Sequence, residues 1–553
     1  MAMQEGFNQS PPYVDVDLFA SDQPLKEVIT ANGAEDEAML LAAFGRRWGA
    51  ADMAEQARLA NENPPKLHAY DAKGFRRDVV EYHPSYHHFL KESIGANLHA
   101  STWTTEGERE DAPAEVARAA RCYMVAQVEN GHLNPVTMTR AAVAALACQA
   151  DVTADMIKKV VTRHYDPSFR PWEEKFGITL GIAMTERQGG TDVRTNVTRA
   201  EATSDGYELT GHKWFASAPM SDAFLVLAQA NDAPTAFLVP RFRPDGTING
   251  LEFQRLKDKL GNRSNASTEM QFDKAFAWRI GGEGDGIATI MASVQLTRVD
   301  CAVGSAGLMR GALSQALNHV RHRNVFSKRL SDQPLMRAVL ADLALEVEAA
   351  LALAMRLCRA LDLSAKKASE KARARLLTPV AKYWICKRAP SFVAETMECL
   401  GGNGFIEENV MPRLYREAPV NAIWEGSGNV LCLDVLRMLA QDRDAVLSVV
   451  AEVKKSAGDL PGGKAAAQFV EECFANPGSD FLARAAVERL ALLAAAEAMR
   501  AASLPYAEAF AATRLGGEVG ETYGARGLAR EEADRLIKRA MPDAGRRLRT
   551  IRK

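Results

Sequence analysis

A glutamate set between an indole and two glycines, in Ile423-Trp424-Glu425-Gly426-Ser427-Gly428-Asn429, is a candidate for moving a proton. Taking its carboxylate out of water would raise its pKa toward the range of a useful base. Ser427 is a natural N-cap for the helix predicted from about Val430, and a helix N-terminus there can receive a phosphate. Taken by itself, a surface loop with a capping serine explains the segment better. A second candidate is Met184-Thr185-Glu186-Arg187-Gln188-Gly189-Gly190-Thr191-Asp192. Its two glycines let the backbone approach a flat ring or a phosphate, and Thr185 and Thr191 offer hydroxyls. By composition alone it is a turn. Glu398-x-x-Gly401-Gly402-x-Gly404 is open in the same way, because helix C-termini use glycine too. Gly282, Gly284 and Gly286 do not complete a G-x-G-x-x-G after a predicted strand, so a Rossmann dinucleotide site is excluded and these glycines read as a turn. His83 and His87 are four apart, but Pro84 lies between them and no third ligand is evident; a structural role is predicted and no metal site.

These residues need elements to hold them. At 553 residues the chain has room for three or four domains. Residues 1–35 read as irregular, about Asp36–Ala60 as helical, and the region of Pro64 and Pro65 as a loop. Helical patterns resume from about His83 to Arg163. From 207 to 275, short apolar runs such as AFLVLAQA and TAFLVP alternate with Gly, Pro, Asn and Asp, which reads as a β-barrel or sandwich. Long amphipathic helix follows from about Gly286 to Gln441, interrupted at Gly401–Gly404 and Pro412–Pro419, and further helix from about Arg443 leads to a basic tail. The expected class is multi-domain α+β: an N-terminal helical domain (1–180), a central β domain (181–284), a helical bundle (285–440) and an extra helical region (441–553).

Composition narrows the setting. Hydrophobic residues make up 47% and charged residues 25%, and 68 Lys and Arg balance 70 Asp and Glu, so overall charge names no partner. The N-terminus has no signal-peptide pattern and no apolar run approaches the roughly 18 residues of a membrane span. Eight cysteines stand singly without a C-x-x-C, as in reduced, cytoplasmic proteins. The C-terminus is different. From residue 535 onward Arg535, Lys538, Arg539, Arg546, Arg547, Arg549, Arg552 and Lys553 face one acid, Asp543. A dense arginine-rich cluster suits phosphate contact, although a solubilising tail would look similar. No aromatic residue is interleaved, which favours duplex backbone contact without sequence readout over base stacking.

Six segments in order resemble the acyl-CoA dehydrogenase superfamily. MTERQGGTDV resembles its M-T-E-x-x-x-G-S-D strand, GHKWFAS its G-x-K-x-W-I-T/S strand, and GGEGDGIA its G-x-x-G-x-G connector. Arg323-x-x-Phe326 resembles R-x-x-F-G, ECLGGNGF resembles Q-x-x-G-G-x-G, and IWEGSGN resembles I-Y-E-G-T-x-x-Q. The resemblance covers about residues 90–440 and implies FAD between the β domain and the C-terminal helices. It further implies an acyl-CoA substrate and Glu425 as the base that removes its α-proton. Met184, Thr185, Gly190, Thr191, Phe215 and Ser217 would lie at the flavin, with Ser427 and Asn429 at its nucleotide portion. Arg323, Phe326, Glu398, Gly401 and Gly402 would reach the FAD of a neighbouring subunit, implying a homotetramer.

Some positions depart from the pattern. Aligned on Lys213, the family's tryptophan falls on Phe215, with Trp214 one place earlier; Ser327 replaces a glycine, and Gly428 and Asn429 loosen the T-x-x-Q ending. Thr297 occupies the position where some members carry their glutamate, so Glu425 has no rival. These changes favour low acyl-CoA turnover. Beyond the core, RLANENPPKLHAYDAKGFRRD and YHPSYHHFL in the N-terminal part and a long extension after the glutamate-bearing helix, together with LKDKLGNRSNAS and PRLYREAPVNAIWEGSGN within the core, are similar to the AidB-like, alkylation-response branch, nearly end to end. That branch implies a tetrameric FAD protein that binds double-stranded DNA and acts in the response to DNA alkylation. Two alternatives stand beside it: a metabolic acyl-CoA dehydrogenase or oxidase with an incidental tail, and a DNA-binding scaffold whose FAD is structural.

Overall fold

The computed structural model describes residues 8–104, 112–476, 479–517 and 520–541. The N-terminal stretch expected to be irregular contains α1 (Gln23–Ala31), whose start is fixed by the Asp22 carboxylate accepting from the Leu25 amide. α2 (Ala38–Trp48) and α3 (Ala51–Glu62) are parted at Gly49, where a Cβ would lie 1.9 Å from the Val16 carbonyl oxygen. After Pro64 and Pro65 comes a hairpin where a loop was expected: β1 (Lys66–Tyr70) pairs antiparallel with β2 (Arg76–Glu81). β1 buries no residue and β2 only Asp78 and Val80, so they lack the apolar alternation that betrays a strand in sequence. α4 (Pro84–Gly95), α5 (Ala114–Val125), α6 (Leu133–Leu146) and α7 (Ala150–Val160) complete this region.

β3 (Leu180–Ala183), β4 (Arg199–Ala202), β5 (Tyr207–Ser217), β6 (Ala223–Ala230), β7 (Ala233–Pro240), β8 (Leu251–Leu256) and β9 (Ser267–Ile280) form one sheet. Its order is β3-β6-β4-β5-β9-β7, with β8 on β9, and the β6–β7 pairing closes it into a barrel. Closure leaves no long open edge. β6 and β7 are buried almost throughout, which is why they read as unbroken apolar runs. Asn231 and Asp232, both at positive φ, form the two-residue turn between them. α6 and α7 pack on this sheet through a core that includes Leu146, Val160, Leu225, Leu238 and Ile280.

The C-terminal half is helical: α8 (Gly286–His322), a small hairpin of β10 (Asn324–Val325) and β11 (Lys328–Arg329), then α9 (Pro334–Leu363), α10 (Ala368–Glu398), α11 (Gly402–Phe405), α12 (Val410–Glu417) and α13 (Gly428–Gln441). α14 (Arg443–Ala457), α15 (Gly463–Ala475), α16 (Ala483–Ala501), α17 (Ala507–Arg514) and α18 (Arg530–Ala540) make up the extra region. α13, α14 and α16 pack on α10, while α16 and α18 pack on α9. Polar chemistry fixes this docking. Buried Asp342 and Glu346 on α9 receive Arg514 at 2.5 and 3.0 Å, and Arg526 at 3.4 and 3.3 Å. Burial alone would raise the Glu346 carboxyl; Arg514, Arg388 and Arg526 hold it down at about 2.

By its contacts the chain divides into two compact units. One comprises Met1–Ala54, Gly107–Val128 and Arg298–Lys553, and the other Glu55–Glu106 with Glu129–Thr297. Residues 1–180 are thus shared between them, because α1 and α5 pack on α9 whereas α6 packs on β3. In the barrel unit Glu129 anchors the segment at 256–267: Ser264 Oγ donates to it at 2.7 Å, beside His132 Nδ1 at 2.6 Å. No described helix is long and apolar enough to cross a membrane.

Candidate active site

In the barrel unit the site begins with the turn after β3. Glu186 and Gly189 close it through paired backbone hydrogen bonds of 3.3 and 3.1 Å, and a Cβ on Gly190 would stand 2.3 Å from Thr185 Oγ1. Glu186 is turned inward. Its carboxylate accepts from Lys213 Nζ at 2.7 Å, Thr198 Oγ1 at 2.6 Å and the Val197 amide at 2.7 Å. Glu186 and Lys213 are both fully buried. Burial lowers the Lys213 ammonium to about 8 although Glu186 opposes it; burial would raise Glu186, but Lys213 and Thr198 hold it below its ordinary range. This pair, with the Trp214 amide donating to Thr185 O at 2.8 Å, pins the Met184–Thr191 turn to β5. Thr185 is half-buried, Gly190 and Thr191 are exposed, and Met184 packs on the barrel core.

The pairing of β5 with β9 is irregular between Lys213 and Ala216, at Trp214 and Phe215. Trp214 lies under Lys257, whose Nζ is 3.3 Å from the ring centroid, and under Arg187. Phe215 remains 48% exposed. Ser217, two residues on, shares a 2.8 Å hydrogen bond with Ser267. Phe215, half exposed with Lys257 Nζ 5.0 Å from its ring centroid, stands near a turn whose Gly189 has no neighbour within 4 Å of an added Cβ, which leaves room for a flat ring. The residues present fit a flavin.

In the helical unit Glu425 sits on left-handed backbone, φ +58°, followed by Gly426 at +106°. The strain is held by two cations. Lys382, buried in α10, donates to the carbonyls of Trp424 and Gly426 at 2.8 Å each. Arg298 Nε donates to the Glu425 carbonyl at 2.8 Å while its Nη1 pairs with Asp434 at 2.6 Å. Trp424 Nε1 donates to Asn421, which in turn donates to Ser305 on α8. Three successive carbonyls are therefore clamped, which aims the half-buried Glu425 side chain. Sequence reading did not find Lys382, a lysine in the apolar run of α10 whose burial was its only signal.

α13 starts at Gly428, two residues earlier than predicted. Ser427 occupies its N-cap position, yet its hydroxyl makes no capping bond. Asn429 Oδ1 accepts from Arg484 of α16 at 3.2 Å, so the extra region touches this end of α13. Arg323 Nη1 donates to the Asn8 carbonyl at 2.7 Å. Phe326 is 94% exposed at the tip of the β10–β11 hairpin, and both it and Ser327 have positive φ. Glu398 ends α10, and Gly401 and Gly402 have no neighbour within 4 Å of an added Cβ.

The basic C-terminal set requires a correction. Arg535 and Lys538 lie on the exposed face of α18, but Arg539 turns inward. Its guanidinium pairs with Glu348 at 3.0 Å and with Glu27 at 2.8 Å, because burial on α9 demands that its charge be matched. It is a structural arginine, not a phosphate ligand. Arg546, Arg547, Arg549, Arg552 and Lys553 lie outside the described residues. His83 accepts from the Ser85 amide at the start of α4, and His87 bonds the Tyr165 hydroxyl at 2.7 Å. Gly284 donates to Thr235 in the turn before α8.

A helical segment, a closed β-barrel and a long-helix bundle with a glutamate before its last helix define the acyl-CoA dehydrogenase class. Comparison with known proteins agrees. Residues 181–275 match the acyl-CoA dehydrogenase middle domain, 284–440 its C-terminal domain, and 8–167 the adaptive response protein AidB N-terminal domain. AidB of Escherichia coli (strain K12) is 44% identical over 97% of both chains. Among solved structures, Caenorhabditis elegans ACDH-11 in complex with C11-CoA superposes with a TM-score of 0.83 at 25% identity, covering 98% of this chain and 93% of that one. The apo-form of Bd2924 gives 0.81 at 28% identity over 90% and 100%. The chain belongs to the AidB branch of the acyl-CoA dehydrogenase family.

Proposed function

We propose that this protein is an FAD-dependent oxidoreductase that desaturates an acyl-CoA thioester, with Glu425 as its base. The observation that carries this reading is the clamped left-handed backbone at Glu425, since strain of this kind persists where the surrounding structure is built to hold it. Bound FAD supplies the hydride acceptor for the hydrogen on Cβ. Glu425 takes the proton from Cα, leaving a Cα–Cβ double bond. Thr185, Thr191, Phe215 and Ser217 bind and orient the ring; Ser427 and Asn429 meet the nucleotide portion. Exposed Phe326, with Arg323, Glu398, Gly401 and Gly402, would reach the FAD of a neighbouring subunit in a tetramer. Glu425→Gln keeps the shape and loses the base, so it should retain FAD and lower acyl-CoA-dependent flavin bleaching at least about 100-fold. Unchanged bleaching would refute the assignment.

The second part of the proposal is duplex DNA binding in the response to alkylation. Its support is the net positive run from Arg535 onward and the exposure of Arg535 and Lys538. The contact would be with phosphates and would read little sequence.

A further inference from the structure

Holding a backbone carbonyl takes only a donor, and a neutral amide or hydroxyl would serve. At the Glu425 turn the chain uses a full charge instead. Lys382 lies in the run Leu376–Cys386 of α10, where every residue is buried, and it is itself fully buried. It gives two of its three protons to the carbonyls of Trp424 and Gly426. An ammonium taken out of water is costly unless an opposite charge offsets it.

The surrounding ion pairs do not supply that charge. No described carboxylate lies within ion-pair distance of Lys382. Asp300 on α8 is taken by Arg118 at 2.6 Å, and Asp434 on α13 by Arg298 at 2.6 Å and Arg375 at 3.5 Å. Tyr383 is bonded to Arg484 of α16. Cys301 and Cys386 stay neutral, because burial pushes both thiols up. At Cys301 the Glu425 carboxylate adds to that rise while Lys382 opposes it, so both charges reach the same thiol. Arg298, the other cation at the turn, is already matched by Asp434; Lys382 is matched by no such pair.

We propose that Lys382 is a positioning residue whose otherwise unmatched charge keeps Glu425 ionised, while its two hydrogen bonds fix the turn. The inference rests on the reading of Glu425 as the base.

Infrared difference spectra of the full-length protein with FAD bound test it, because the carboxyl stretch lost in Glu425→Gln reports the titration of Glu425 apart from turnover. Lys382→Met should move the midpoint of that titration up by about one pH unit, the low end for losing an opposite charge near a carboxylate. The acid limb of kcat/KM for acyl-CoA-dependent bleaching should move with it, about 10-fold in rate at pH values below the limb. Flavin content should stay constant. Lys382→Gln keeps an N–H donor without the charge, so it should shift the midpoint as far as methionine does, and it carries the comparison if the methionine variant does not fold. A wild-type midpoint in Lys382→Gln would assign the residue to hydrogen bonding alone and overturn the proposal, as would a wild-type midpoint in Lys382→Met. If no acyl-CoA bleaches the wild-type flavin, the base reading fails, and the infrared midpoint still decides whether Lys382 holds Glu425 ionised.

Discussion

Replacing Lys213 by methionine preserves length and removes the charge that faces Glu186. The stranded carboxylate is fully buried and loses an ammonium 2.7 Å away. Thr198 and Val197 still donate to it, so the loss should fall at the lower end of the about 3–5 kcal/mol typical of breaking a buried pair. At roughly 2–4 °C per kcal/mol, the transition of the barrel unit should drop by about 6–12 °C in calorimetry at pH 7. The pH dependence should reverse. In the wild type the Glu186 pKa lies below its unfolded value, so its contribution is present above about 4.5 and declines as pH falls through the folded value. In the variant the unpaired carboxyl rises above the unfolded value, so the deficit should shrink as pH falls from 7 toward 4.5. Lys213→Met with Glu186→Gln should recover most of the loss, since no buried charge remains. The single variant should release flavin more readily, as the Met184–Thr191 turn has lost its anchor. A loss below about 1 kcal/mol at pH 7, or no recovery in the double variant, would refute the reasoning.

Glu129 offers an acid counterpart. Burial opposes its ionisation, but His132 and Ser264 hold its pKa at about 2, so it stabilises above about 4.5 and loses that stabilisation as pH falls toward 2. The difference corresponds to roughly 3 kcal/mol, and Glu129→Gln should flatten acid denaturation over that window; an unchanged slope would exclude the role. Phe326→Asp should convert the assembly to smaller species by light scattering, and an intact tetramer would place the hairpin tip outside the interface. For duplex DNA, Arg535→Ala with Lys538→Ala should reduce the slope of log affinity against log salt by up to about 2, at roughly 0.9 per phosphate. Arg539→Ala should lower stability instead, and failure of the full-length protein to bind duplex at low salt would exclude the DNA reading.

The barrel was legible because β6 and β7 are buried on both faces, and burial writes itself into composition as unbroken apolar runs. The β1–β2 hairpin was not legible, because strands that bury so little apolar surface need no apolar alternation. Glu425 became a candidate through its neighbours in sequence, Trp424 and Gly426, and was singled out only by the family resemblance of IWEGSGN. Lys382 was missed because a buried lysine leaves no periodic trace until its carbonyl partners arrive from α13's approach, about forty residues later. Arg539 misled for the complementary reason: in sequence it is one more cation in a basic run, and its pairing with Glu27 comes from the far end of the chain.

Local chemistry therefore determined the order of helix, barrel and helix, the glycine turn at Gly189–Gly190, and the candidacy of Glu425. Those depend on side-chain periodicity and backbone freedom, which are properties of short segments. The tertiary structure decided which charges are spent inside. Lys213 and Glu186 anchor a turn, Arg298 and Lys382 hold the left-handed backbone at Glu425, and Arg539 secures α18 while Arg535 and Lys538 stay in solvent. A charge buried away from water must be matched by a partner, and the partner's distance along the chain is unlimited.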